Sequence, residues 1–398
     1  MTFLLGVAIF VLALLISVML HEAGHFLTAK RFGMKVTQFF VGFGQTLWSR
    51  VRGETEYGIK ALPLGGFVKI TGMTTLEEVD PADEPRSFRN QPGWQRIIVL
   101  AAGSFMHFAL AFFLLIVLAA GLGLENDNST AIGTVDSCVP ASVTALNNQS
   151  CSGSRGTSPA QLAGLKPGDK IIAIGGTRVR NWTQLGAVIR AQPAGRATSV
   201  VVQRDGRQQT LSVTPVTVPG RRGSYLGIGN DTIFQRINPL RAVTYAGSAF
   251  GQVVTESVSG VSKLPAALPS LFAKDRAKTA AGQVGSVVGA GDTAGQVVAA
   301  KIGWQSKVAY ILAIIISLNI FVGIFNLLPL LPMDGGHLAV IIYERCRAWL
   351  ARLRGRPDPG LVDMRKLIPV SVGVFALLVG FSLLLIAADI INPVHLVQ

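Results

Sequence analysis

Four stretches of this chain are apolar for as long as a bilayer is thick, and that limits its fold more than any other feature. A helix needs about 20 residues to cross the hydrocarbon layer. Residues 3–20, 97–124, 308–331 and 367–391 reach that length, the last interrupted only by Asp389. In lipid, backbone polar groups must be satisfied within the segment, so each stretch is expected to be helical. The first could be mistaken for a cleavable leader. It has no basic n-region and no small-x-small site before the polar cluster at 21–25, so it is read as retained. Composition agrees, since 49% of residues are hydrophobic and 15% charged, against about 25% charged in soluble domains.

Orientation follows from the short loops, because Lys and Arg collect on the cytoplasmic side. Nothing basic precedes the first stretch, whereas Lys30, Arg31 and Lys35 follow it. Between the third and fourth lie Arg345, Arg347, Arg352, Arg354, Arg356, Arg365 and Lys366, and no Lys or Arg follows residue 391. Both termini of a multi-pass protein of the cell (plasma or inner) membrane are therefore expected outside. The long 125–306 segment is basic too, but long translocated domains are exempt from the rule. A net charge of +14 would suggest nucleic acid in a soluble chain. Here no short basic run is interleaved with aromatics, so the charge is read as facing the anionic lipid of the bilayer, and no nucleic-acid partner is expected.

The outside segment contains a small α+β domain. Residues 132–135, 171–174, 199–203 and 210–214 read as strands, with Asp205-Gly206 as the turn between the last two. Trp182 to Ala191 reads as a helix capped by Asn181. The stretch Ser158-Pro159-Ala160-Gln161-Leu162-Ala163-Gly164-Leu165-Lys166-Pro167-Gly168-Asp169 resembles the signature of bacterial PDZ domains, in one copy. Residues 221–306 stay unassigned, including a Gly/Ala-rich part at 280–300. Three cysteines are too few for a disulfide scaffold. Cys138 and Cys151 can pair only in an oxidising compartment, which the outside placement supplies, while Cys346 on the inside is expected to stay reduced. Inside, 56–62 and 67–70 read as strands around a turn at Pro63-Leu64-Gly65-Gly66, and 77–84 as a solvated acidic loop.

The chemistry begins at His21-Glu22-x-x-His25. Residues four apart share a helix face, so both imidazoles can reach one metal ion. Glu22 beside them can take a proton from metal-bound water. Zinc suits two imidazoles and a carboxylate, which leave a fourth position open for that water. Ionisable groups at the centre of a span cost about 2.5–3.5 kcal/mol each on insertion scales, and a divalent cation compensates them. The bland reading is a wet helix end. Against it stands Asn326-Leu-Leu-Pro329-Leu-Leu-Pro332-Met-Asp334-Gly335-Gly336 at the end of the third stretch. Two prolines end the helix, Gly335-Gly336 are read as a free turn, and Asp334 is expected on non-helical backbone lining a wet cavity. His21 lies about 27 Å along its helix from Phe3 at ~1.5 Å per residue. Asp334 lies a similar chain length from Val308, so the two can meet near the inner boundary.

An HExxH in a first span, an NxxPxxPxDGG segment in a third and a PDZ-like domain between them resemble the site-2 protease family of bacterial intramembrane zinc metalloproteases. The likeness covers nearly the whole chain, including Phe40-Val41-Gly42-Phe43-Gly44 and Pro63-Leu64-Gly65-Gly66. It implies Zn2+ held by His21, His25 and Asp334, Glu22 as general acid and base, and Asn326 near the catalytic centre as a substrate-orienting or oxyanion-stabilising group. It further implies single-span membrane protein substrates, often anti-sigma factors, already trimmed outside by an upstream site-1-type protease. Where many members carry Gly-Pro-x-x-Asn, this chain reads Gly103-Ser104-Phe105-Met106-His107, and His107 is read as a packed histidine rather than a ligand. His337 and His395 are read as bystanders. The single PDZ-like copy with Cys138 and Cys151 resembles the actinobacterial branch.

The expected fold is therefore a membrane protein of four transmembrane α-helices, with a membrane-associated cytosolic β-hairpin region and one extracytoplasmic PDZ-like α+β domain. In order these are a first helix with the HExxH (1–27), a cytosolic β-rich loop (28–96) and a second helix (97–124). Next come the PDZ-like domain (125–220) and a connecting region (221–306). The third helix with its NxxPxxPxDGG segment (307–339), a cytosolic basic loop (340–366) and the fourth helix with its tail (367–398) complete it. The β-rich loop could hold a substrate extended by strand addition. Two rival readings stand beside this one: a divalent-cation transporter, which predicts ionisable groups strung along a path, and a silent scaffold, which predicts a missing Glu or ligand.

Overall fold

The first apolar stretch does not stop at its charged motif: α1 runs unbroken over Thr2–Arg31. The structure, a computed structural model, describes all residues except 75, 126–128, 148–150, 231–233, 274–275, 277–284, 301 and 393–398, so His395 lies outside the described residues. Among those described, four helices are long and apolar enough to cross a membrane: Thr2–Arg31, Gly93–Leu122, Trp304–Asn326 and Met364–Ile391. The chain divides into two compact units, one of Met1–Ala119 with Asn238 onward, the other Ala120–Ile237.

In the first unit, α1 is followed by β1 (Val36–Arg52) and β2 (Thr55–Ile70). The tight turn between them falls at Gly53, whose φ of +66° suits glycine. Pro63 to Gly66 do not form the expected turn between two short strands; they lie within β2. The reason lies in the register. Phe39, Phe40 and Val41 each have two partners, Tyr57, Gly58 and Ile59 on one side and Val68, Phe67 and Gly66 on the other. The second part of β2 thus passes to the far side of β1, and Gly66–Ile70 becomes an edge. The acidic stretch after it is tied down rather than freely solvated: Glu77 accepts from the Gly72 and Met73 N–H groups at 2.9 and 3.3 Å, and Asp83 pairs with Lys35. At the turn Glu54 meets Arg86 and Lys30, and the Arg86 hydrogen bond leads in holding its carboxyl down at about 2.

Helix α2 covers Gly93–Ile116 and continues as a π-helical segment to Leu122. The second unit then holds β3 (Leu124–Glu125), β4 (Ile132–Val135), α3 (Val143–Asn147), α4 (Pro159–Leu162), β5 (Lys170–Ile174) and β6 (Thr177–Arg178). It continues through α5 (Trp182–Ala191), β7 (Thr198–Arg204), β8 (Arg207–Val213), β9 (Val216–Thr217), β10 (Ser224–Tyr225), β11 (Ile228–Asn230) and β12 (Phe234–Gln235). Its main sheet has the order β6-β5-β7-β8, and β11 pairs with β4. Ile132, Ile171, Ile174, Leu185, Val200 and Val202 fill its core. Asn181 caps α5 by accepting from the Gln184 N–H at 2.8 Å. Asp205 and Gly206, both at positive φ, turn β7 into β8. A disulfide joins Cys138 to Cys151 with Cα atoms 5.9 Å apart, while Cys346 is free and exposed.

Back in the first unit, two helices occupy ground that the sequence left unassigned. α6 (Pro239–Ala267) packs Tyr245, Ala246, Ala249, Phe250 and Val253 against α2 and α8, the latter spanning Trp304–Asn326. α7 (Val287–Ala299) lies against α1 through small residues. A Cβ added at Gly295 would come within 2.5 Å of the Phe3 ring, and one at Gly6 would strike the Ala294 carbonyl. These helices are thus part of the membrane unit's packing rather than a linker. α9 (Asp334–Leu353) turns much of the expected basic loop into helix, and α10 covers Ile368–Ile391. Asp389, the single charge in that last stretch, is buried and accepts from Arg276 Nη2 at 2.7 Å and from the Ser286 N–H at 2.6 Å.

Candidate metal centre

The buried stripe of α1 reads Gly6, Phe10, Ser17, His21, Gly24, His25 and Ala29. Its spacing follows the helical period, so one face of α1 meets protein while Leu4, Leu5, Leu12 and Ile16 are exposed. That is how lipid sorts a helix: the apolar side faces outward and the costly polar side is buried among other helices. The partner face belongs to α2, which runs the opposite way. His25 lies by Val99, Gly24 by Ala102, His21 and His25 by Gly103, and Ser17 by His107.

His21 Nε2, His25 Nε2 and Asp334 Oδ2 converge. The two nitrogens are 3.1 Å apart, and the carboxylate oxygen is 3.2 and 3.3 Å from them. A tetrahedral ion with bonds of about 2.0–2.1 Å spaces its ligand atoms by about 3.3 Å. The triangle has the size of one face of that tetrahedron. Chemistry points the same way. His25 Nδ1 donates to the Val99 carbonyl at 2.7 Å, so its Nε2 turns a lone pair inward. A carboxylate oxygen and a second imidazole aim at the same point, and acceptors gathered so closely need a cation between them. Among the described residues these three form the one group of His, Cys, Asp or Glu able to hold a metal ion. The residues present fit zinc.

Backbone close approach makes the convergence possible. A Cβ on Gly103 would lie 2.5 Å from both His21 Cε1 and His25 Nε2, so only glycine leaves the rings their place. Asp334 is the first residue of α9, not part of an irregular loop; the irregular backbone is the preceding Leu327–Met333. Gly335 and Gly336 are helical as well. They are required because that segment folds back onto them: a Cβ on Gly336 would sit 2.5 Å from Leu331 N, and one on Gly335 would overlap the Leu327 backbone. Glu22 points to the other side of the site, where Oε2 accepts from the Val68 N–H of β2 at 3.0 Å.

Asn326 is the last residue of α8 and half-buried, and among the described residues no hydrogen bond links it to the three converging groups. His337 lines a separate cavity of about 30 Å³ with Arg96 and Glu344. His107 is buried, and its ring centroid is 5.0 Å from that of His21. Sequence reading missed its partners Ser17 and Asn319, both buried. Their signal was available, since each is a polar residue deep within an otherwise apolar span.

The sequence has known relatives. The sequence model of peptidase family M50 matches residues 9–356. The chain is 37% identical to zinc metalloprotease Rip1 of Mycobacterium tuberculosis H37Rv over 418 aligned positions, covering 100% of both. It is 37% identical to Rip1 of Mycobacterium bovis BCG and 36% identical to Rip1 of Mycolicibacterium smegmatis, again covering 100% of each chain.

Proposed function

The chain belongs to peptidase family M50 and is a zinc metalloprotease crossing the membrane several times, and from that premise we propose that it cuts single-span membrane proteins within their transmembrane segment. The observation that carries this reading is the convergence of His21, His25 and Asp334 on helices apolar enough to lie in a bilayer. In this reading those three hold the metal and Glu22 is the general acid and base. Bound zinc supplies polarisation of the scissile carbonyl and a lowered pKa for the attacking water. Glu22 takes a proton from that water and later gives it to the leaving amine. Asn326 retains only a proposed role in orienting substrate, since its half-buried position at the end of α8 leaves it near the segment leading to Asp334.

A membrane helix hides its peptide bonds in internal hydrogen bonds, so it must be drawn out before hydrolysis. The edge Gly66–Ile70 suits that task, because Val68 already binds Glu22 and a strand added beside it would run past the site. The unit at 120–237 we read as a PDZ-like domain lying outside with both termini, selecting substrates by size or docking. Its disulfide supports an oxidising surrounding. Anti-sigma factors trimmed first by a site-1-type protease are the proposed substrates.

The ionisable ligands gather at one point rather than along a path, and neither the Glu nor a ligand is missing, which disfavours both a transporter and a silent scaffold. Mass spectrometry of tagged membrane proteins, comparing wild type with Glu22→Ala, tests the reading. Fragments ending inside a transmembrane segment should appear only with wild type; identical fragment sets would overturn it.

A further inference from the structure

One helical turn from His21, toward the N-terminus of α1, lies a polar cluster that the zinc chemistry does not use. Ser17 of α1, His107 of α2 and Asn319 of α8 are 2%, 3% and 1% exposed. Polar groups buried so deeply among membrane helices need partners, and these three supply one another. His107 Nδ1 lies 2.8 Å from Asn319 Oδ1 and 3.2 Å from Ser17 Oγ, and the Ser17 hydroxyl donates to Asn319 Oδ1.

The orientation of the amide decides where the proton on His107 sits. Asn319 Nδ2 donates to the Ile315 carbonyl at 2.8 Å, so Oδ1, which can only accept, faces the other two. A lone pair on His107 Nδ1 would repel Oδ1 at that distance. Nδ1 therefore carries the hydrogen, and in the neutral ring Nε2 is an acceptor. The two ring nitrogens point away from each other. With Nδ1 turned to Asn319 and Ser17, Nε2 faces out of the cluster, and among the described residues it makes no hydrogen bond. The ring packs beside His21, and the next α2 residue on that face is Gly103, which puts no side chain in between. His107 is not one of the converging metal-site groups.

We propose that His107 is a catalytic residue whose Nε2 accepts a hydrogen bond from the attacking water, and that Asn319 is the positioning residue that holds it in the accepting tautomer. The inference rests on the protease reading above. Water has two hydrogens. One goes to Glu22 as the bond forms between the water oxygen and the carbonyl carbon, and then to the amine nitrogen as the C–N bond breaks. The other stays on oxygen, held by His107, and leaves with the carboxyl product. Two acceptors fix the rotation of the water and so aim its lone pair at the carbonyl.

The chain has five histidines, which makes the tautomer directly measurable. Long-range proton–nitrogen correlation on the full chain, labelled with ¹⁵N-histidine, identifies His107 by the signal lost in His107→Gln. The Nδ1–H form is expected in wild type, and loss of that preference in Asn319→Leu. In cleavage of a reconstituted single-span substrate, His107→Phe and Asn319→Leu should lower kcat by on the order of 10-fold to 10²-fold with KM unchanged. Zinc content should stay at the wild-type level in both. His107→Gln keeps an acceptor and should recover part of the loss.

An Nε2–H tautomer in wild type, zinc loss in His107→Phe (which would make it a ligand), or equal kcat for the Gln and Phe variants would overturn the proposal alone. A wild type that neither binds zinc nor cleaves would overturn the protease reading and this inference with it.

Discussion

The core within residues 120–237 is built of Ile132, Ile171, Ile174, Leu185, Val200 and Val202, whereas on α1 the buried stripe includes Ser17, His21 and His25 while Leu4, Leu5, Leu12 and Leu27 are exposed. That core and this helix sort residues differently because their surroundings differ. In water, apolar burial is the main favourable force. In lipid the tails are as apolar as leucine, so helices are held by close packing and by polar groups that find each other. Glycine does two kinds of work, and each kind occurs in both units. In the membrane unit Gly6, Gly24, Gly103 and Gly335 are places where a Cβ would strike a neighbour; in the other unit Gly164, Gly168, Gly195 and Gly206 serve positive φ with nothing within 4 Å.

The largest effect should come where that close packing meets the proposed metal site. Gly103→Ala drives a methyl group against the His21 and His25 rings, and zinc should fall from about one per chain to background, with cleavage lost. A core truncation in the other unit, Ile171→Ala, should cost that unit about 2–5 kcal/mol and leave zinc untouched. Elemental analysis of both detergent-purified variants checks the contrast; wild-type zinc in Gly103→Ala would break it.

Next in size is the separation of metal holding from proton transfer. His21→Ala or Asp334→Ala should lose zinc. Glu22→Gln should keep it while cleavage falls by about 10²-fold or more, as expected for a lost general base. A truncated single-span substrate followed by gel shift measures the rate. Zinc loss in Glu22→Gln would make Glu22 a ligand, and the base would have to be sought elsewhere.

The same contrast explains what could be read from sequence. The four spans, the α5 helix with its Asn181 cap and the Asp205-Gly206 turn rest on local patterns, and local patterns survive folding. So did the pairing of the HExxH helix with Asp334, because three ionisable groups in lipid demand a common partner. What escaped was decided by tertiary contact. α6 and α7 are poor in long apolar runs, yet α6 packs aromatic and small residues against α2 and α8, and the small residues of α7 fit against α1. Gly335-Gly336 resembled a turn, whereas their need is for the backbone of Leu327 and Leu331 to approach. His107 is packed and outside the converging group, as expected, but its partner Asn319 escaped because it lies 212 positions away and no spacing rule links the two.

A smaller effect concerns the disulfide. Cys138 and Cys151 are 13 positions apart, and closing a loop of that size stabilises by about 3 kcal/mol in the chain-entropy account. Cys138→Ser with Cys151→Ser should make residues 120–237 more open to limited proteolysis, while cleavage of an already trimmed substrate continues. Equal proteolysis with and without reductant would show that this unit gains nothing from the bond.

The smallest expected effect is electrostatic and belongs to the unit at 120–237. Asp169, almost wholly buried, accepts from Arg204 Nε and Nη2 at 2.7 Å each and from the Lys166 N–H at 2.8 Å. The Arg204 guanidinium beside it holds its carboxyl below the usual range. An unfolded Asp titrates near 3.9, so the folded group gives up its charge later on acidification. Its contribution is therefore complete above the unfolded value and disappears as pH falls through the lower folded one. Asp169→Asn should cost about 1.5–3 kcal/mol at neutral pH, the range for a hydrogen bond to a charged group. The two proteins should then converge in strong acid, where both side chains are neutral. Hydrogen exchange of the β5 and β7 amides, followed from pH 6 to pH 3 with correction for intrinsic rates, reads that convergence. Amides of α1 and α2 should show no difference between the two proteins at any pH, because nothing in their polar stripe depends on Asp169. Parallel curves for β5 and β7 down to pH 3 would assign the acid sensitivity of this unit to another group.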